Sequence, residues 1–344
     1  MTEPHITPRL YGHSAAEQTF LDAFGSGRMP HAWLLCGPEG TGKSTFAHLV
    51  ARAVLSGEPT LKHDAAIPTH HRIAEGNETA LTVLRRSLNE KTGKLRNNIS
   101  VEEVRALKRA LTFAATEGGW RVVIVDPAED MNPSAANALL KVLEEPPDRV
   151  IFFLISHAPR RLLPTILSRC RRLDFSPLEE SDLADAYEAV AGEPAPESII
   201  AAARGSVGAA LSLTAEGGTA LQEAIAGVLA PLPNQIDRVA LHALADTAAA
   251  AGKDEAFRTT TKLIANLTAR MATCAAGSDA PPAGYERLAP IATPISAPIW
   301  AETTEQIVAA TERTLALNLD RRQALLDMVA RVEKVAKGAA SHAG

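Results

Sequence analysis

Three runs of apolar residues along the chain predict the strands of a buried parallel sheet. The runs cover residues 32–36, 122–125 and 150–156, and none of them contains a charged residue or alternates with polar positions. A strand that is covered on both faces has no polar side, as in sheets with helices packed on each face. The pattern therefore predicts an α/β domain with a parallel sheet.

A helix between the second and third runs is marked at both ends. Asn132 can cap it, Pro133 suits its first position, and the prolines at 146–147 stop it. Apolar residues spaced as i, i+3, i+4, i+7 predict its buried stripe. These residues are Ala136, Leu139, Leu140 and Leu143. Segment 46–55, after the first run, is predicted to form another helix.

The chain beyond residue 176 is predicted to be helical. Its segments are rich in Ala and Leu and carry helix start and stop signals, beginning with the cap candidate Ser181. We therefore predict three domains: an α/β domain over residues 1–176, a small helical lid over 177–217 and an all-α domain over 218–344.

The composition indicates a folded chain of more than one domain. Its 344 residues, 46% hydrophobic and 22% charged, exclude a disordered protein. No apolar run is long enough to cross a bilayer, so we expect no membrane partner. A net charge of −5 argues against a protein whose whole surface grips DNA.

The cysteines argue against a zinc module. They are far apart and form no Cys-x-x-Cys pair, so we expect no zinc. The three are Cys36, Cys170 and Cys274. We expect His63, His70 and His71 to be solvent-facing loop residues, because no further metal ligands accompany them. Unpaired thiols without a secretory signal are typical of a cytoplasmic location.

A phosphate-binding loop follows the first predicted strand. Residues 37–44 read GPEGTGKS and match every fixed position of G-x-x-x-x-G-K-[ST]. Glycines let successive backbone N–H groups face a phosphate, and the N-terminus of the next helix adds partial positive charge. Lys43 is placed to reach the β- and γ-phosphates, and Ser44 to bind Mg²⁺. We therefore expect ATP or ADP with Mg²⁺ as the cofactor.

Further candidates complete this site. The nucleotide-binding residues of the loop region are predicted to be Gly37, Gly40, Thr41, Gly42, Lys43, Ser44 and Thr45. Asp126 ends the second apolar run, where a Walker-B carboxylate would hold the Mg²⁺ shell together with Ser44.

Three other segments carry a resemblance to a known family. They are NALLKVLEEPP at 137–147, FFLISHAP at 152–159 and Ser-Arg-Cys at 168–170. With the loop they resemble the clamp-loader branch of the AAA+ ATPases, closest to the delta-prime family of bacterial DNA polymerase III loaders. The strong motifs lie between residues 12 and 172, and beyond them the resemblance is only one of pattern.

The resemblance implies an architecture and a set of partners. The architecture is a P-loop AAA+ domain, a small helical lid and a C-terminal all-α collar that holds an assembly together. The implied partners are delta and gamma/tau subunits in a hetero-pentamer, the β sliding clamp, and primer–template DNA reached through the complex.

The resemblance also implies roles for two side chains. Arg169 of Ser-Arg-Cys would be an arginine finger acting in trans on the neighbouring subunit's ATP. Ser156 would occupy the position of a γ-phosphate sensor, although a serine there could equally satisfy a strand-end amide.

Two departures from the family pattern indicate weak hydrolysis. Hydrolysing members have a glutamate after the Walker-B aspartate, and here that residue is Pro127. Their lid carries an arginine where this chain has Gly208. Glu129 is close in sequence but is expected to point away from the site. We therefore expect this subunit of the polymerase holoenzyme to have little or no ATPase activity of its own.

Two other functions remain open at this point. One is an active AAA+ ATPase, either a gamma/tau-like motor subunit or a helicase. The other is a small-molecule P-loop enzyme such as a nucleotide kinase, for which the Ser-Arg-Cys segment and the long helical half would have no purpose.

Basic residues cluster in residues 85–109 and 157–172. A solvated face and a subunit interface are the simple interpretations. Contact with DNA phosphates passing through a complex is the alternative, which the sequence leaves open.

Overall fold

The computed structural model describes residues 4–64, 66–88, 95–114, 119–215, 218–250, 254–277, 286–293 and 296–343. The chain divides into two compact units. The sheet unit comprises Met1–Pro194 with Gly205–Gly208, and the helical unit comprises Ala195–Arg204 with Ala209–Gly344. The three-domain division at residues 176 and 217 stays a prediction.

A parallel sheet organises the sheet unit. Within the described residues it has five strands in the order β2-β3-β4-β1-β5. The strands are β1 Ala32–Cys36, β2 Leu81–Leu84, β3 Arg121–Val125, β4 Val150–Ser156 and β5 Arg171–Asp174. All pairs are parallel, so the carboxyl ends of β1, β3 and β4 lie at one edge. The three predicted apolar runs are confirmed as β1, β3 and β4.

Helices cover both faces of this sheet. They are α1 Ser14–Gly25, α2 Lys43–Ser56, α3 Pro68–Ala74, α4 Val101–Ala114, α5 Pro133–Glu144, α6 Pro164–Leu167 and α7 Glu180–Ala191. One face packs Leu34, Phe152 and Leu154 with α4, α5 and α6, and the opposite face packs Trp33 and Phe153 with α1 and α2. Burial on both faces explains why the runs at residues 32–36, 122–125 and 150–156 are uniformly apolar.

The punctuation of α5 is as predicted. The Asn132 side chain accepts a hydrogen bond from the Ala135 N–H at 2.8 Å, and Pro133 is the first helical residue. The buried stripe includes Val142, while Leu140 is only half-buried, so the stripe lies slightly to one side of the predicted one.

The expectation for the histidines is wrong at His70. Its ring is fully buried in α3, where its Nδ1 accepts a hydrogen bond from the Asp64 N–H at 3.1 Å and its face stacks near His63. Helix α3 packs on α2, and this packing removes His70 from solvent. His71 is exposed as expected, but it also lies in α3 and not in a loop, and His63 is half-buried.

The helical unit contains only helices among its described residues. They are α8 Glu197–Ala203, α9 Val207–Ala215 (whose first two residues lie in the sheet unit), α10 Gly218–Leu229, α11 Arg238–Ala248, α12 Asp254–Ala275, α13 Ala297–Ala316, α14 Arg321–Ala343 and a 3₁₀ segment Glu286–Ile291. Trp300 and Ile307 of α13 are completely buried in this unit. No helix in the described part of the chain is both long and apolar enough to cross a membrane.

The proline-rich stretch of this unit is only partly described. Pro281, Pro282 and Pro294 lie outside the described residues. Pro290 lies in the 3₁₀ segment, and Pro298 is in the first turn of α13.

Candidate functional site

The phosphate-binding loop, residues 37–44, connects the carboxyl end of β1 to α2. Lys43 and Ser44 are the first two residues of α2, where unpaired amides and the helix dipole favour an anion. Thr41 is buried, and its hydroxyl donates to the Pro38 carbonyl at 3.0 Å. Thr45 is half-buried in the first turn of the helix. The loop, the dipole and the lysine therefore meet at the sheet edge where the sequence predicts a nucleotide.

Lys43 turns back onto its own loop. Its side chain is 2% exposed, and its Nζ donates to the Gly37 carbonyl at 2.7 Å and to the Pro38 carbonyl. Burial lowers the pKa of Lys43 to about 8, against the opposing effect of the carboxylates of Asp126, Glu129 and Glu39. The ammonium is thus satisfied within the loop, and an incoming phosphate would replace carbonyl partners with a stronger, charged acceptor.

This pKa predicts how nucleotide affinity depends on pH. Below about pH 8 Lys43 carries the positive charge that a phosphate needs, and above it the free protein must take up a proton on binding. The Kd for a fluorescent ADP should rise by up to about tenfold per pH unit above pH 8, in proportion to the lost proton. Lys43→Arg, which stays protonated, should give a flat profile. A flat profile for the native chain would contradict the prediction.

Asp126 lies beside Ser44 at the end of β3. Burial raises the pKa of the Asp126 carboxyl, and the hydrogen bond from the Ser44 hydroxyl acts in the opposite direction. A hydroxyl and a carboxylate are the oxygen ligands that Mg²⁺ takes beside a bound phosphate. Because the two side chains already touch, the residues present fit a nucleotide-bound Mg²⁺.

Residues 205–208 lie directly on the loop. The Ser206 hydroxyl donates to the Glu39 carbonyl at 2.9 Å, and the Val207 N–H donates to the Gly40 carbonyl at 2.9 Å. Gly40 has φ +76°, and a Cβ there would lie 2.2 Å from the Ser206 Oγ. Only glycine fits both the conformation and the contact. Gly208 follows with no side chain, so the described structure places no lid cation from this position over the loop.

The end of β4 completes the site edge. Ser156 is fully buried, its carbonyl accepts a hydrogen bond from the Gly37 N–H at 3.2 Å, and its hydroxyl has no partner within the described structure. Both interpretations of this serine therefore remain open, and an unpaired buried hydroxyl is what a γ-phosphate oxygen would satisfy.

The expectation that Glu129 points away from the site is wrong. A 3₁₀ turn, Ala128–Asp130, folds the chain back after Pro127. One Glu129 oxygen accepts hydrogen bonds from the N–H groups of His157 and Ala158, at 2.7 Å and 3.1 Å. The carboxylate therefore lies immediately after Ser156, at the same edge as the loop.

Arg169 lies away from this edge. It precedes β5, whose first residue pairs beside Trp33 and whose last pairs beside Cys36, next to the loop. The four residues of β5 alone span on the order of 10 Å, so Arg169 is at the opposite end of the strand from its own loop. The structure thus separates the predicted finger from the other predicted site residues of this chain.

Arg169 is held in place by an ion pair and by hydrogen bonds. Its Nη2 forms an ion pair with Glu144 Oε1 at 2.8 Å, and its Nη1 donates to the Thr165 carbonyl at 2.9 Å. The side chain stays 34% exposed, and Leu163 and Leu167 beside it are exposed as well. An arginine among exposed leucines is typical of the surface that meets another protein.

The structure describes only part of the basic segment at residues 85–109. Lys91 and Lys94 lie outside the described residues, and Arg86 forms an ion pair with Asp130 at 2.8 Å. Arg160 and Arg161 are exposed. The choice between solvated face, interface and DNA contact therefore stays open for both segments.

Comparison with known proteins finds similarity over about half of the chain. The model of the family described as "DNA polymerase III, delta subunit" matches residues 12–179. The chain is 41% identical over 147 residues to the DNA polymerase III subunit delta' of Pseudomonas aeruginosa, covering 42% of this chain and 43% of that protein. It is 30% identical over 212 residues to the subunit tau of Bacillus subtilis, covering 59% and 36%. The chain thus spans less than half the length of these relatives.

A solved structure has a weaker likeness. A DNA polymerase III gamma subunit-related protein of Thermotoga maritima is 19% identical with a TM-score of 0.45, covering 93% of this chain and 99% of that one. At that score the likeness supports no conclusion about function. The family match lies instead within the sheet unit and includes its complete phosphate-binding loop. Over residues 12–179 this chain is similar to the DNA polymerase III delta-prime subunits, which supports a delta-prime-like clamp-loader subunit.

Proposed function

We propose that this chain is the delta-prime-type subunit of a clamp-loader hetero-pentamer with delta and gamma/tau subunits. In this role it binds ATP or ADP with Mg²⁺ and hydrolyses it poorly. It donates Arg169 to a neighbour's nucleotide and helps place the β sliding clamp on primer–template DNA. The observation that carries the proposal is the position of Arg169, half-exposed and at the far end of β5 from its own loop.

The phosphate-binding loop and Arg169 lie at opposite ends of the strands, and each would have its own role. The loop amides, Lys43 and the Ser44–Asp126 pair would hold a nucleotide and its Mg²⁺, which supplies charge neutralisation when bound. Arg169 would place its guanidinium against the phosphates of the adjacent subunit, where it stabilises the charge that spreads over the transferred phosphoryl group. One chain thus contributes to two nucleotide sites.

Weak hydrolysis follows from the residues around the chain's own loop. Pro127 has no basic side chain, and Glu129 already accepts two backbone hydrogen bonds on one oxygen. These bonds fix the Glu129 carboxylate, so it cannot move to the place directly after Asp126 where hydrolysing members carry their glutamate. Gly208 stands where hydrolysing members carry an arginine, so a second contribution to hydrolysis is also missing.

A gamma/tau-like motor subunit is the second candidate. The complete loop and the similarity to a tau subunit over 212 residues favour it. It requires a working general base, which the geometry around Pro127 does not provide.

The test is turnover by the isolated chain. We expect nucleotide to bind but hydrolysis to be about 10²–10⁴ times slower than in a gamma/tau subunit, which is the contribution of a general base. Binding is measured by calorimetry and hydrolysis by phosphate release, with Lys43→Ala as the control that abolishes both. Brisk hydrolysis by the native chain that Lys43→Ala removes would favour the motor subunit.

A further inference from the structure

More negative charge surrounds Lys43 than a phosphate-binding loop needs. The carboxylates of Asp126, Glu129 and Glu39 all interact with its ammonium. Asp126 is accounted for by its contact with Ser44 and a role at Mg²⁺, and Glu39 is exposed to solvent, which screens it. Glu129 has no role in the function proposed above.

Glu129 is fixed in place and partly unsatisfied. Its Oε1 is held by the His157 and Ala158 N–H groups, so the side chain cannot swing away without breaking two hydrogen bonds. Its Oε2 is buried and has no hydrogen-bond partner among the described residues. A buried carboxylate oxygen without a donor keeps its full repulsion toward another anion.

The location of this oxygen is close to where a third phosphate would bind. Glu129 is bonded to the residue after Ser156, and Ser156 is itself bonded to Gly37 at the start of the loop. The Ser156 hydroxyl is fully buried and has no partner among the described residues. The same edge thus presents one neutral donor and one anion.

Among the described residues, few cations lie where they could balance the Glu129 carboxylate. Lys43 is the loop's own ammonium, and it serves the β-phosphate of a diphosphate equally well. Position 208 has no side chain, and Arg169 lies at the other end of β5. Arg85 and His157 interact with Asp126, a residue that would bind Mg²⁺ in the proposed site. A γ-phosphate would therefore add negative charge beside Glu129 without adding a cation.

We propose that Glu129 makes this site selective for a nucleoside diphosphate over a nucleoside triphosphate. The inference rests on the proposed nucleotide binding and specifies its ligand. The loop binds the α- and β-phosphates, and the fixed carboxylate penalises the third. The subunit then keeps a diphosphate in its own loop while Arg169 serves the triphosphate of a neighbour.

The experiment compares Mg²⁺–ADP and Mg²⁺–ATP binding to the full chain by calorimetry. We expect the native chain to bind ADP about tenfold more tightly than ATP, the size of effect that one fixed charge exerts at a partly buried site. Glu129→Gln keeps the shape and the acceptor but removes the charge. It should tighten ATP binding about tenfold and leave ADP binding within about twofold.

Two matched controls separate the possible outcomes. Glu39→Gln removes an exposed charge near the same lysine and should leave the ADP-to-ATP ratio unchanged, whereas Glu129→Asp retains the charge and should retain the preference. Equal affinities in the native chain, or an unchanged ratio in Glu129→Gln, would overturn this inference while nucleotide binding itself stands. Absence of binding for both nucleotides would instead overturn the nucleotide-binding part of the proposed function.

Discussion

Arg169→Ala is expected to slow ATP hydrolysis at the neighbouring subunit's site by roughly 10³-fold or more, the contribution of arginine fingers supplied in trans. Nucleotide binding by the isolated variant should be unchanged, because Arg169 lies at the far end of β5 from its own loop. In the native chain the guanidinium would stabilise the charge on the transferred phosphoryl group.

The measurement needs a clamp loader in which only one nucleotide site hydrolyses ATP. A complex with delta and gamma/tau subunits is reconstituted so that only the gamma/tau subunit next to this chain has an intact phosphate-binding loop. Phosphate release is then followed with and without primed DNA. Arg161 is an exposed arginine on the 3₁₀ turn Pro159–Arg161, which precedes α6. Arg161→Ala serves as the matched control and should be close to native. Unaltered DNA-stimulated hydrolysis in Arg169→Ala would rule out the finger.

Gly37→Ala is expected to lower the free energy of unfolding of the sheet unit by about 3 kcal/mol or more. Gly37 has φ +152°, and a Cβ there would lie 2.1 Å from the Phe175 carbonyl oxygen. That oxygen belongs to the backbone, and the Phe175 N–H is itself bonded to the Cys36 carbonyl at 2.7 Å. The Phe175 backbone is held by this bond and cannot shift at low cost. The new Cβ would therefore displace residue 37, the first residue of the phosphate-binding loop.

Gly57→Ala is the matched control for this substitution. Gly57 also has a positive φ, +78°, but nothing lies within 4 Å of its Cβ position. It should therefore cost only about 1 kcal/mol, the conformational term alone. Urea denaturation gives both values, and nucleotide binding by Gly37→Ala should be lost. Equal stability of the two variants would show that the Phe175 contact does not constrain the loop.

The strands that a sequence pattern can predict are those buried on both faces. β1, β3 and β4 were predictable for this reason, whereas β5 carries two arginines in four residues and forms because it pairs with β1. β2 is short and only half-buried along most of its length. Edge strands of this kind depend on their neighbours rather than on their own composition.

The loop and the Walker-B aspartate were predictable because their residue types and spacing follow from phosphate chemistry. The contact of Ser206 with Glu39 was not, since it joins residues 167 positions apart. Neither was the position of Glu129, because a single 3₁₀ turn decides whether a residue three places after Asp126 faces the loop. The burial of His70 likewise depends on how α3 packs on α2.

Helix α5 begins at Pro133, just after the Walker-B segment, and ends at Glu144, which holds Arg169. Its twelve residues form a rod of about 18 Å. If the amino end of this helix tilted, Glu144 at its other end would move, together with the Arg169 guanidinium bonded to it. Helix α5 thus connects the segment after Asp126 to the side chain that we propose as the arginine finger.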